Sequence, residues 1–549
     1  MQITDIVQAN INDTTVTPQA GDFGTLAIVT VNATWPELSR TYSSIAGVLA
    51  DWPADSPEAI EASKAFAQKK APKTIKIIRG THKPTQQYSI AVSAVRNSDS
   101  TSYRANVIGQ GVTAMTAAYT SDSSATNDEI AAGLAASMNT AVGRNFTAEA
   151  TGTPTAEVVT VIGDAPTTIA STAFTVDAST DAALSTAHGL ATGHGPMQLT
   201  TTTTLPGGLA LVTNYWAIVV DANHFKFATS RANALAGTFV DITDTGTGTH
   251  HYAGNSPRAL APGAWFSIEV LDRTALSVSQ THVDPGIATD LAAIRLVDDQ
   301  WYTFVTLYNS KALVLGAAAW AEAEGDVAYF PQVNDTTAAQ TAVQNPLDQN
   351  HDTLQALAAL SYNRSVGAWH PSPASGFASG WNGRTLPIRA GSESWDAKDL
   401  SAVAPANLTE TEFQNLKARK ATVFVTVAGL NITIGGTTAG GKAFGIVRGL
   451  AWWKDDLQTS ILAAKVAADK LEFEDTGVAR IEATCRSSTK RAIDRKIIAK
   501  NPKPTFSFPL VADISPSDKA NRVLNAPNAI NATLSGEIDT ISLDVNVSF

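Results

Sequence analysis

The sequence predicts a multidomain chain of mixed α+β and α/β class, with extended arms at both termini and an all-β insertion. Length is the first indication: at 549 residues the chain exceeds one ordinary core, since domains average roughly 150 residues. The second is a change of composition between residues 165 and 254. There Thr, Gly and Ala crowd around short alternating strands such as TNYWAIVVD and HFKFATS, and no long helical period survives. The third is the stretch 532–549, in which Ile538, Ile541, Leu543, Val545, Val547 and Phe549 fall mostly on every second position. Such alternation at a terminus describes a strand in search of a sheet edge.

The elements follow in order. Residues 1–22 lack an apolar period and are expected to form an extended arm. A β-branched run at 23–31 predicts a strand, and after Pro36 come helices at 43–51 and 57–69. Ser56 supplies an N-cap oxygen, Pro57 fits the first helical position, and Glu58 places an anion near the positive end of the helix dipole. A strand at 74–79 completes a small α/β part, 23–85. The next stretch, 86–164, is rich in short strands (YSIAVSAV, YRANVIG) with one Ala-rich helix at 127–142. It is interrupted by the insertion, 165–254, and resumes at 255–276 through the strand 265–271. Residues 277–527 form the main α/β region. Strands YTFVTLY and DVAYFP flank a helix at 310–324, a second helix spans 352–359, and a hairpin turns around Gly429. Two paired helices follow at 455–473 and 476–493, and 528–549 is the C-terminal arm.

Composition narrows the function. Charged residues are 16% of the chain, against about 25% in typical soluble domains. A weakly polar exterior of Ala, Thr, Ser and Gly is cheap to desolvate against neighbours, which suits a polymer subunit. A net charge of -11 opposes nonspecific adhesion to nucleic acid or anionic membranes. The lone Cys485 excludes an intrachain disulfide and a paired-cysteine metal site. No basic and apolar leader is visible at the N-terminus, and no run reaches the 18 to 20 apolar residues that span a bilayer. The chain is therefore expected to be made in a cytoplasm and to stay soluble until it assembles.

No motif carries catalysis. The segment 436–442, GTTAGGK, has the spacing of a phosphate-binding loop, but Ala443 stands where a hydroxyl would hold Mg²⁺, and Gly445 and Gly449 weaken the helix that would follow. A glycine-rich hairpin loop is the expectation. His250 and His251 point to opposite faces of a strand, and the other close pair, His188 and His194, has no metal-ligand spacing. Cys485 beside Arg486 is expected to be a buried inert thiol. The pairs Asp298/Asp299 and Asp455/Asp456 are explained by caps and turns. No cofactor is expected. One basic stretch stands out in an acidic chain: Arg486, Lys490, Arg491, Arg495, Lys496, Lys500 and Lys503, with only Asp494 among them. On a helix, Arg486/Lys490 and Arg491/Arg495 would repel at one-turn spacing, and an anionic partner would relieve them.

Two stretches resemble the tail sheath proteins of contractile bacteriophages: 43–79, a helix, a break, an Ala-rich helix and a Pro-Lys lead into a strand, and 452–493, paired helices joined by a Thr-Gly turn. The insertion, with TAHGLATGHGPMQLTTTTTLPGGL and TGTGTHHY, resembles a small β module of phage structural proteins. The resemblance implies a sheath-like α/β core and a non-enzymatic subunit of hexameric rings stacked helically around a tail tube. In such assemblies terminal arms add strands to neighbours' sheets, and contraction drives the tube through the host envelope. It further implies contacts with the tail tube, baseplate and tail terminator proteins, none with nucleic acid or membrane, and a place in the virion tail after assembly in the host cytoplasm. On this chain the arms become 1–22 and 528–549, with the alternating residues Ile538 to Phe549 as intersubunit strand. Arg486, Lys490, Arg491, Arg495 and Lys496 become candidates for the tube-facing surface. A tube, baseplate or fibre component would keep the β module but lack the arms and paired helices, and a wall-degrading enzyme would need a carboxylate or histidine constellation that the sequence does not offer.

Overall fold

The computed structural model describes residues 22–30, 37–80, 87–109, 112–141, 146–163, 169–190, 192–195, 197–229, 233–234, 236–254, 266–280, 286–307, 309–468 and 470–536. The first elements are β1 (Leu26–Thr30), β2 (Ser39–Tyr42), α1 (Ile45–Asp51), α2 (Pro57–Phe66) and β3 (Ile75–Arg79). Ser56 caps α2 by accepting from the Ala59 amide at 3.1 Å, with Pro57 in the first turn. Glu58 lies in the first turn of α2, as expected, and is buried there, accepting a hydrogen bond from Thr30 on β1.

The chain then builds a middle domain from β4 (Gln87–Val92), β5 (Arg104–Gly109), β6 (Val112–Ala118), α3 (Asn127–Met138), β7 (Phe146–Thr151) and β8 (Val158–Gly163). The insertion follows with β9 (Thr172–Asp177), β10 (Ala182–Leu184), β11 (Met197–Thr201), β12 (Trp216–Val219), β13 (His224–Ala228) and β14 (His250–Gly254). These six strands form one antiparallel sheet, and Phe174, Tyr215, Phe225, Phe227 and Tyr252 fill a core that draws on no other part of the chain. On return, β15 (Phe266–Val270) pairs with β5 and β16 (Leu276–Gln280) pairs with β4. The middle domain thus extends past the expected boundary at 276, because β16 completes the sheet of β4, β8 and β7.

The remaining helices are α4 (Ile287–Val297), α5 (Lys311–Glu324), α6 (Thr336–Gln340), α7 (Thr353–Leu360), α8 (Phe377–Thr385), α9 (Glu410–Ala418), α10 (Phe444–Val466), α11 (Asp475–Asp494) and α12 (Pro516–Ala520). Between them run β17 (Thr303–Thr306), β18 (Ala328–Tyr329), β19 (Gln332–Val333), β20 (Ala368–Trp369), β21 (Val423–Val427), β22 (Leu430–Ile434) and β23 (Thr505–Phe506), and after them β24 (Ile530–Asn531). The core sheet has the order β18-β17-β1-β3-β2, parallel except for β2. Residues 23–80 and the region after 286 therefore share one sheet and one continuous core, from Leu26 to Val447. Every residue of β1, β3 and β17 is buried, as parallel strands covered on both faces require.

Helix α10 begins eleven residues ahead of the expected start at 455. The two glycines read as helix-weakening lie inside it. A Cβ on Gly449 would stand 3.2 Å from the Gly391 Cα and 3.0 Å from Ile497, so close packing offsets the helix cost of about 1 kcal/mol. Phe444, the first residue of α10, sits edge-on to Trp395 at 4.9 Å and to Phe330 at 5.0 Å. That aromatic contact fixes where the helix starts.

Two predictions follow from this packing. Gly163 pairs with Phe146 across β7 and β8, and the Phe146 ring lies 5.0 Å from that of Phe266, so the insertion leaves and rejoins the middle domain at neighbouring points. Replacing residues 164–265 by a short Gly/Ser linker is expected to leave the rest folded; an unfolded circular dichroism spectrum would refute this. The second concerns Asp335, the N-cap of α6, whose carboxyl is pushed up to about 6 by burial and by the nearby Asp352. Asp352 is itself held by Arg419 at 2.7 Å with both side chains fully buried. A carboxyl that ionises less readily when folded stabilises the fold at low pH and loses that contribution as pH rises from about 4 through 6. Asp335→Asn keeps a cap acceptor without the charge. It should gain at most about 3 kcal/mol over the parent at pH 8 and nothing at pH 4, measured by thermal unfolding at both.

Candidate assembly surface

The paired helices α10 and α11 carry the basic stretch. The buried positions of α11 are Val478, Cys485, Ser488, Thr489 and Ala492, a stripe of mostly small side chains that admits a close helix partner. Arg491 locks the pair from α11 into α10: its Nη2 donates to Asp456 Oδ2 and to Ser460 Oγ, both at 2.7 Å, and its Nε donates to Asp456 Oδ1 at 3.0 Å. Ser488 donates to the same carboxylate at 2.5 Å. The Arg495 guanidinium stacks 3.7 Å from the Trp452 ring centroid, a cation–π contact. Arg486 pairs with Glu482 one turn back at 2.6 Å and lies 4.2 Å from the Phe506 ring. The repulsion expected between Arg486 and Lys490, and between Arg491 and Arg495, is thus offset within the chain by Glu482 and Asp456.

The five tube-facing candidates therefore divide. Arg491 and Arg495 are half-buried and hold the helix pair, and Arg486, itself exposed, pairs within α11 and with the following segment, whereas Lys490 and Lys496, like Lys500 and Lys503, are exposed. Lys496 adopts a left-handed backbone, φ 64°, just past the end of α11. From there Ile497 and Ile498 form a small cluster with Ala492, Trp452, Trp453 and Ala532. The Ala499 amide donates to Thr533 O at 2.8 Å and the Ser535 amide to Ile497 O at 2.9 Å, while β23 pairs with β24. Residues 528–536, assigned from the sequence to the C-terminal arm, thus lie against their own chain, hydrogen-bonded to the strip around Ile497 and Ile498. The strand candidates Ile538, Ile541, Leu543, Val545, Val547 and Phe549, and residues 1–21 of the N-terminal arm, lie outside the described residues.

The chemical motifs resolve into structure. Although α10 follows the GTTAGGK loop directly, the loop's amides are consumed internally. Gly436 donates to Thr422 Oγ1, Thr438 to Lys442 O, Ala439 to Ser365 O, Gly440 to Tyr362 O and Gly441 to Thr438 O, at 2.7–2.8 Å. A phosphate cradle needs such amides free. His250 is buried with its ring between Thr201 Oγ1 and Thr245 O, at 2.9 and 3.3 Å. Burial, then Glu482, pushes the Cys485 thiol up to about 11, which makes it a poor nucleophile. Asp298 pairs with Lys76 and accepts from Ser39 at 2.5 Å. Among the described residues no group of three or more His, Cys, Asp or Glu side chains is placed to hold a metal ion. What sequence reasoning missed is the buried Arg448, which pairs with Glu393 at 2.7 Å. Its signal was a lone cation inside the apolar run FGIVRGLAWW.

No protein-family model matches the chain, and no curated protein does. Among solved structures it is similar to the sheath tail protein of Listeria innocua, over 89% of this chain and 89% of that one, at 10% identity and a TM-score of 0.39. It is also similar to a chain of the sixfold-symmetrised baseplate of the anti-feeding prophage, with 48% of this chain and 73% of that chain covered at 9% identity and a TM-score of 0.37. The helical sheath of the anti-feeding prophage in its contracted state matches over 48% of this chain and 74% of its own, at 10% identity and a TM-score of 0.35.

The helix pair makes its own prediction. Arg491 is partly exposed, so solvent screens its bond to Asp456, and Arg491→Ala should loosen α11 by about 0.5–1 kcal/mol. Lys490→Ala should not change it. Amide exchange along α11 is expected to quicken about two- to fivefold in the first variant alone; equal behaviour of the two would refute the assignment.

Proposed function

We propose that this chain is the structural subunit of a contractile tail sheath, polymerising as hexameric rings stacked helically around a tail tube. The observation that carries the proposal is where residues 530–536 lie. Residues 530–536 are hydrogen-bonded to the segment 497–506 that follows α11, beside exposed lysines, and the alternating apolar run Ile538 to Phe549, expected from the sequence to be a strand, follows directly. A lone terminal strand gains backbone hydrogen bonds by joining a sheet edge of another copy. Head-to-tail contacts of that kind extend into open helical arrays. The subunit's work is mechanical and needs neither catalysis nor a cofactor.

In this reading the three arginines hold the helix pair in shape, and Lys490 and Lys496, with Lys500 and Lys503 beyond them, meet an acidic tail tube. Each exposed pair contributes at most about 1 kcal/mol and is screened by salt, but repetition over every subunit sums to a firm grip. Contraction releases many such weak contacts together and drives the tube through the host envelope. Baseplate and terminator proteins close the two ends of the assembly. The β insertion, with a core of its own, sits outside this machinery.

Electron microscopy of the purified chain tests the proposal: hollow, thick-walled tubes are expected. Deleting residues 537–549 removes interchain hydrogen bonds of about 0.5–1.5 kcal/mol each and should leave folded, soluble monomers. Regular tubes from the truncated chain would overturn the arm assignment. Reversing Lys490, Lys496, Lys500 and Lys503 to Glu should spare sheath-only tubes while abolishing their assembly on a tail tube at moderate salt.

A further inference from the structure

The roots of the two terminal arms meet one buried ion pair. Phe23, where the N-terminal arm joins the core, gives its carbonyl to Arg448 of α10, which donates from Nη2 at 2.6 Å and from Nε at 3.2 Å. The Phe23 ring packs on Tyr302 at 5.0 Å. The same guanidinium donates to Leu386 O and to Glu393 Oε1, each at 2.7 Å. Leu386 and Glu393 bracket a loop that faces the other terminus. Ser392 Oγ donates to Arg495 O at 3.1 Å. Gly391, at φ 83°, lies so close to Ile497 that a Cβ there would stand 2.2 Å from Ile497 Cγ1. Ile497 in turn accepts the Ser535 amide at the root of the C-terminal arm.

Stability alone does not account for burying this pair. Well-packed apolar side chains of similar volume commonly serve as well or better, and the second oxygen of Glu393 finds no hydrogen-bond partner among the described residues. We infer that the Arg448–Glu393 pair is a mechanical coupler that makes the roots of the N- and C-terminal arms one rigid body, so that a pull on one arm is passed to the other. Its use rests on the assembly reading above, in which the terminal arms add strands to the sheets of neighbouring copies. The coupling itself belongs to the single chain and is measurable before any polymer forms.

The test is reciprocal, because a coupling free energy must act equally in both directions. In the dilute full-length chain, Ile497→Val trims the C-terminal root, and the reporters are the Tyr302 and Thr303 amides, which donate to Thr25 O at the N-terminal root. Phe23→Ala loosens the N-terminal root, and the reporters are the Ala499 and Ser535 amides. Each variant is expected to quicken hydrogen exchange at the far root about threefold or more, while amides of β13 in the insertion stay unchanged. In a Glu393→Gln background both far effects should vanish. Acceleration confined to the altered root would overturn the inference, and the conservative Ile497→Val arm decides the matter even where Phe23→Ala or Glu393→Gln fails to fold. Tube formation by the unaltered chain is a separate readout, so failure of the assembly reading is told apart from failure of the coupling.

Discussion

Strand β1 lies between β3 and β17, and that pairing organises the whole chain. Leu26 faces Ile75 on one side and Thr303 on the other, with all five β1 residues buried. A parallel neighbour demands a crossover. The first, through α1 and α2, is short; the second contains the entire middle domain and the insertion. Because β17 must come back to β1, everything between must leave and return at nearly the same place. In the middle domain β15 and β16 close sheets that β5 and β4 open, and in the insertion the last strand, β14, pairs with the first, β9.

The same constraint explains what could be read from the sequence. Local signals were legible where local chemistry decides: Ser56 and Pro57 start α2, Ser310 starts α5 by accepting from the Leu313 amide, and Gly429 turns the β21–β22 hairpin at φ 80°. The change of composition at 165–254 coincides with the six-stranded sheet β9–β14 and its separate core. Long-range pairing left no such mark, so the union of 23–80 with the region after 286 in one sheet, and the role of β16 in the middle domain, emerged only in the structure. Helix α10 was half hidden for a related reason: Gly449 lowers helix propensity locally, and its benefit lies in contacts with Gly391 and Ile497, far along the chain.

The candidate surface shows the same division. A basic stretch is visible as letters, but which cations are free depends on partners in another helix. Asp456 claims Arg491, Trp452 claims Arg495, and Glu482 claims Arg486. Lys490 and Lys496 remain exposed. A guanidinium suits fixed, directional contacts and an ammonium suits hydrated ones. The arginines accordingly build the face and the lysines present it.

The position of β17 in the chain also governs how the protein is made. Thr303 is synthesised roughly 280 residues after Leu26, its partner in the central strand, which at about 5–20 residues per second is a delay of roughly 15 to 55 s. During that interval β1 can pair with β3 but has one unmatched apolar edge, while the middle domain and the insertion, each with a core of its own, can complete their folding on the ribosome. The nascent core is thus the last part to close. Overexpression that outruns that closure would be expected to deposit the chain as aggregates templated on the open side of β1.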